Sequence, residues 1–283
     1  MMDFLFGPFI HNEFMARALA GGLLVSLSCA VVGTFVVLRG LAFIGDALSH
    51  GVLPGVAVAL LLGLPGMVGA AAGSLAMIVG IGYITRRSSL SSDTAIGLLF
   101  VGMLALGVVI VSRSRSFSGD LIHILFGEVL GISWADVAGQ GGAALAVSAL
   151  AFVCRRPFLL LSFSPEQADV SGFPAKRYHS IMLLMIALTV VVSFKTVGTL
   201  LVFGLLIAPA ASAALYAKKV RTMMALDWIF GALSTYGGLL ASYHLNIAGG
   251  ASIALVATLL FFAALVGKRF SSTKHRTHHG STA

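Results

Sequence analysis

Apolar residues run along this chain in long stretches, separated by short polar breaks that carry most of the charge. The stretches fall at 15–38, 43–62, 66–85, 94–112, 136–153, 179–194, 197–217, 223–242 and 248–266. Most approach the roughly 20 residues that an α-helix needs to cross a bilayer, and none shows the period-two alternation of a barrel strand. A shorter apolar segment at 121–132 is too brief to cross and is expected to form a re-entrant or interfacial helix. The pattern predicts an all-α, polytopic transmembrane helical bundle of eight or nine spans over residues 1–270. A polar, disordered cytoplasmic tail is expected over 271–283.

Composition supports that class. Of 283 residues, 58% are hydrophobic and 10% charged, and the mean hydropathy is +1.02. A soluble domain carries about 25% charged residues, so a soluble enzyme is excluded. The net charge of +8 follows topology rather than nucleic-acid binding. One alternating set of loops holds Arg39, Arg86, Arg87, Arg155, Arg156, Lys176, Arg177, Lys218, Lys219, Arg221, Lys268, Arg269, Lys274 and Arg276. The opposite set holds only Arg17, Arg113, Arg115 and Lys195. The first set therefore faces the cytoplasm, with the N-terminus outside and the C-terminus inside for nine spans. The opening residues lack a basic region before a short apolar core, so the first long run is expected to remain a membrane helix. Cys29 and Cys154 stand far apart and offer neither a disulfide framework nor a metal motif.

Small residues recur four apart, at Gly51 and Gly55, Gly69 and Gly73, Gly127 and Gly131, and Gly204 and Ala208. In lipid such spacing lets helices approach closely. The second span carries Asp46 and His50 on one helical face, and Asp46 is the one acid read as lying well inside a span. A carboxylate there needs a partner or a water-filled cavity. Together, the oxygen and nitrogen suit manganese, zinc or ferrous ions better than cuprous copper. A mutual structural pairing is the plainer alternative. Pro54 lacks an N–H and frees the His50 carbonyl four residues earlier, which is expected to face the same cavity and either supply another oxygen or accept from a water. One chain supplies one Asp and one His; a two-fold dimer with this helix on its axis would supply two of each. Both side chains also bind protons, so metal transport is expected to fall as the imidazole protonates.

In the most basic loop, Ser164, Pro165, Glu166 and Gln167 form a helix start and Gly172 a stop, predicting a capped helix of about two turns. It serves either as a solvated connector or as a docking element. Asp120, His123 and Glu128 flank the short outer segment as a candidate receiving rim. The sequence holds no GxxxxGK[ST] phosphate loop, no HExxH and no GxSxG. The chain is therefore read as no enzyme, with energy from a partner or an ion gradient.

The run Val36-Val37-Leu38-Arg39-Gly40-Leu41-Ala42-Phe43-Ile44-Gly45-Asp46-Ala47-Leu48-Ser49-His50, with Leu53-Pro54-Gly55-Val56-Ala57, resembles the hallmark of ABC-3 permeases. Leu125-Phe126-Gly127, Lys195-Thr196-Val197-Gly198 and Ala208-Pro209-Ala210-Ala211 agree with it, and the resemblance extends over about 14–267. It implies a type II ABC importer fold in a bacterial plasma membrane. The partners implied are a second copy of the chain, cytoplasmic ATPase subunits and an extracytoplasmic metal-binding protein. Asp46 and His50 would line a path for transported manganese or zinc, with no permanently bound cofactor. The helix from Ser164 to Gly172 would couple to the ATPase, with Glu166 and Asp169 as candidate contacts. The rival reading is a proton-coupled metal carrier using Asp46 and His50 as a relay. An intramembrane metalloenzyme would need more ligands than one chain offers.

Overall fold

Our computed structural model describes residues 2–88, 90–112 and 129–277, and every regular element among them is helical. Helix α1 (Met2–His11) precedes α2 (Glu13–Leu38), α3 (Ala42–Leu61), α4 (Gly66–Arg87) and α5 (Ser92–Ser112). A single 3-10 turn at Val129–Gly131 leads into α6 (Trp134–Val153), α7 (Arg155–Phe163) and α8 (Pro165–Val170). The chain closes with α9 (Ala175–Tyr216), α10 (Val220–Leu245) and α11 (Gly249–Thr277). Most of the segment at 121–132 lies outside the described residues, while α11 continues through Thr277, past the boundary expected at 270.

Among the described residues, seven helical stretches are long and apolar enough to cross a membrane. Helix α9 hides two legs. Its 42 residues include Gly198 at φ 73° and ψ 166°, a conformation that breaks the helix and is essentially closed to side-chain-bearing residues. Arg39, at the end of α2, reaches His179 and Met182. Gly33, less than two turns away on α2, abuts Leu206 and Ala210. On a straight helix Met182 and Ala210 would stand about 42 Å apart, so α9 doubles back around Gly198. The second leg, Leu201–Tyr216, is a shorter apolar helix, and the 26-residue α10 falls outside the seven, so among the described residues the helices that qualify as spans number fewer than the eight or nine expected.

Side-chain contacts agree with alternating topology. Trp134 Nε1 donates to Glu13 Oε1 at 3.1 Å, placing the starts of α2 and α6 on one face. Arg39 meets His179 Nδ1 at 2.7 Å, placing the end of α2 and the start of α9 on the other. The Tyr216 hydroxyl donates to the Ala264 carbonyl at 2.6 Å on that same face.

The centre is built by α2, α3 and both legs of α9, where Phe35, Ile44, Leu48, Met182, Ile186 and Leu205 are fully buried. Helices α5, α6 and α11 turn large apolar side chains outward, including Val109, Leu145 and Leu259. Lipid tails are as apolar as these side chains, so the bundle closes through tight packing rather than through the hydrophobic effect. The glycine pairs supply it. A Cβ on Gly55 would lie 2.1 Å from the Gly69 carbonyl oxygen, and one on Gly73 would lie 2.5 Å from that of Gly51. Thus the two predicted pairs face one another across α3 and α4.

Replacing Gly55 by Ala should lower the Tm of the purified protein in detergent, with a cost of about 1–3 kcal/mol. Gly102→Ala, where an added Cβ meets nothing within 4 Å, should leave it unchanged or raise it. Equal Tm for both variants would contradict the α3–α4 contact.

Candidate metal site on helix α3

The turn before α3 explains the Leu38-Arg39-Gly40 signature. Gly40 takes φ 64°, and the Leu41 and Gly40 amides donate to the Val36 and Val37 carbonyls at 3.0 and 3.1 Å. This Schellman closure ends α2 and reverses the chain at once into α3. Asp46 and His50 follow one and two turns into α3, at a shallow to middle depth from the cytoplasmic side.

Ile44, Ala47, Leu48, Gly51 and Val52 are buried against the bundle. Phe43, Asp46 and His50 occupy another face, with Phe43 71% exposed and the side chains of Asp46 and His50 about a quarter exposed, at 28% and 24%. His50 Nε2 stands 3.4 Å from Asp46 Oδ1. The His50 ring lies edge-on to Phe100 of α5, with centroids 5.3 Å apart. Its Nδ1 is buried and has no hydrogen-bond partner in the protein. An imidazole with one nitrogen toward a carboxylate and another unpaired is a donor set in waiting. Among the described residues, however, no group of three or more His, Cys, Asp or Glu side chains could hold a metal. One chain offers part of a coordination sphere.

The structure places the other sequence-predicted residues differently. Ser164 accepts from the Gln167 amide at 3.3 Å and caps α8 as expected. Glu166 and Gln167 are exposed. Asp169 is exposed as well, and its Oδ1 accepts from the Ala175 amide at 2.7 Å, so it ties α8 to the start of α9. Asp120, His123 and Glu128, together with Leu125-Phe126-Gly127, lie outside the described residues.

Asp46 is not the sole acid within a span. Asp227 of α10 is 1% exposed and accepts from the Thr34 hydroxyl of α2 at 3.3 Å. One turn or more outward, the Ser26 and Thr235 hydroxyls lie 2.9 Å apart between the same two helices. Asp227 stands in a stretch whose polar residues look like a span end, and its partner lies 193 positions away in sequence. At the cytoplasmic end, burial lowers the Arg39 guanidinium from its ordinary value. Burial likewise raises the Cys154 thiol, at the α6–α7 junction, which leaves it a poor nucleophile.

These placements separate two roles for acids. Asp227→Ala removes a buried partner and should cost about 1–3 kcal/mol, read as a lower Tm in detergent. Asp46→Ala removes a partly exposed side chain and should shift stability by no more than about 0.5 kcal/mol. A large Tm loss from Asp46→Ala would make it structural glue.

Comparison with known proteins follows the same line. The model of the ABC 3 transport family matches residues 11–268. The manganese transport system membrane protein MntC of Listeria monocytogenes is 40% identical over 257 residues, 91% of this chain and 91% of that protein. The chelated iron transport system membrane protein YfeD of Yersinia pestis is 34% identical over 269 residues, 95% and 90% of the two chains. A chain in the structure of PsaBC from Streptococcus pneumoniae in complex with Fab superposes with TM-score 0.83 at 36% identity, covering 93% of this chain and 95% of that one. This multi-pass helical chain therefore belongs to the ABC 3 transport family: it is the membrane component of a bacterial plasma-membrane transporter, whose ATP hydrolysis belongs to a separate subunit.

Proposed function

We propose that this chain is the permease of an importer for divalent transition metal ions, manganese foremost, and that it works as a homodimer. The observation carrying this reading is the incomplete donor set on α3: Asp46 Oδ1 and His50 Nε2 at 3.4 Å, an unpaired His50 Nδ1, and partial exposure of both side chains. A second copy related by a two-fold axis along this face doubles the donors to two carboxylates and two imidazoles. The two negative charges offset one divalent cation. If the His50 carbonyl freed by Pro54 also turns inward, the site gains oxygen ligands, which manganese favours. The relatives named for manganese support that cargo, with iron-named relatives next.

Energy enters through α8. Phe163 and Val170 are 77% and 91% exposed beside Glu166 and Gln167, a mixed apolar and polar face suited to an ATPase partner. Asp169 locks α8 to Ala175 at the head of α9. The returning leg of α9 packs Phe203 and Leu206 onto Gly45, adjacent to Asp46. Displacing α8 therefore pulls on the helix that borders the metal donors, which can switch access between the two sides. An extracytoplasmic binding protein delivers the ion to the outer mouth. The site binds weakly enough to release it.

Proteoliposomes containing the chain with its ATPase test this directly. Radioactive manganese uptake should require ATP and fall to background in Asp46→Ala or His50→Ala, while both variants keep the wild-type Tm. Phe43→Cys, on the same face but outside the donor pair, should cross-link between two copies. Uptake driven by a proton gradient without the ATPase, or failure of Phe43→Cys to cross-link in an active complex, would reject the reading.

A further inference from the structure

On the side of the bundle away from α3, a cavity of about 340 Å³ opens between α2, α6, α7 and α10. Its inner wall is apolar, formed by Val31, Phe35, Ala151 and Met224. Its rim carries Arg155, at the start of α7, and Arg221, at the start of α10. The Arg155 guanidinium lies 5.2 Å from the Phe152 ring centroid, which positions it at the cavity mouth. Neither arginine forms an ion pair among the described residues.

Level and surroundings say what such a cavity meets. Both arginines stand at cytoplasmic helix ends, where the chain leaves the apolar core. Helix α7 is short and two-sided: Arg155 and Arg156 are exposed, whereas Pro157, Phe158 and Leu161 are buried. That is the form of a helix lying in the membrane interface. Beside the cavity, α6 turns Leu145, Phe152 and Val153 outward toward lipid. A void with apolar walls, opening to the bilayer beneath two unpaired guanidinium groups, complements a molecule with an acyl chain and an anionic head.

We propose that this cavity is a binding site for an anionic phospholipid of the inner leaflet. One acyl chain fills the space between Phe35, Ala151 and Met224, and the phosphate lies between Arg155 and Arg221. Two guanidinium groups recognise a phosphate through charge-assisted hydrogen bonds, and basic pockets at cytoplasmic helix ends hold such headgroups. Because α7 leads directly into α8, the bound lipid braces the cytoplasmic arm against α10. The site is independent of the metal donors, since α3 packs against α4, α5 and α9 instead.

Native mass spectrometry of the full chain, released from detergent with added dioleoylphosphatidylglycerol or dioleoylphosphatidylcholine, tests the assignment. Wild type should retain the anionic lipid roughly tenfold or more over the zwitterionic one. Arg155→Gln with Arg221→Gln should remove that preference, and Arg155→Lys with Arg221→Lys should largely restore it at unchanged Tm. Ala151→Phe, which occupies the apolar wall with both arginines intact, should also lose the lipid. Equal retention of the two lipids by wild type, undiminished preference in the Gln variant, or full retention by Ala151→Phe would overturn the proposal. So would removal of the adduct by inorganic phosphate, since a phosphate alone would then account for the arginines.

Discussion

Backbone contact between α3 and α4 is the constraint on which the rest of the arrangement turns. Without a hydrophobic drive between helices in lipid, α3 is held by how closely it can approach its neighbours. Gly55, Gly69 and Gly73 bring the two backbones into direct contact along that seam, with Met77 against Gly51 and Ala59 against Gly69. With this face sealed, and Gly45 pressed against Leu206 of α9, the rotation of α3 is set. The face that remains carries Phe43, Asp46 and His50. The Asp46 and His50 side chains are thus aimed by glycines elsewhere on the helix.

A second constraint shapes the interior. Polar groups inside a bundle need internal partners; many hydroxyls, such as those of Ser49, Thr189 and Ser234, donate to the carbonyl four residues earlier, and a few groups pair between distant helices. Ser26 meets Thr235, Thr34 meets Asp227, and Gln140 donates to the Val192 carbonyl at 2.7 Å. These contacts tie α2 to α10 and α6 to the first leg of α9. The Asp46–His50 pair is local to one helix and leaves an imidazole nitrogen unpaired. This sets it apart from the interhelical pairs, whose polar groups meet across the bundle.

Much of this was legible in the sequence because hydropathy and glycine spacing act locally. The succession of apolar helices, the break near Gly198, the two glycine pairs and the Ser164 cap all follow from residues a few positions apart. Asp46 and His50 stood out because ionisable side chains are costly in lipid. The interfacial helix α7 was not legible: its apolar stretch is too short for a span, and its two arginines resemble a loop. Helix α1 was missed for the same reason of length. Asp227 was overlooked because its role depends on Thr34, far away in sequence, and the Asp169 contact to the Ala175 amide could not be read from the local pattern. Long-range pairings are decided by packing, which local pattern does not encode.

The account's central claim is that the α3 faces of two chains together make one metal site. Manganese binding to the purified permease complex, measured by equilibrium dialysis with protein and metal quantified in the same sample, tests it most directly. The account predicts one high-affinity manganese ion for every two permease chains, lost in His50→Ala. One ion per chain, or undiminished binding in His50→Ala, would contradict it.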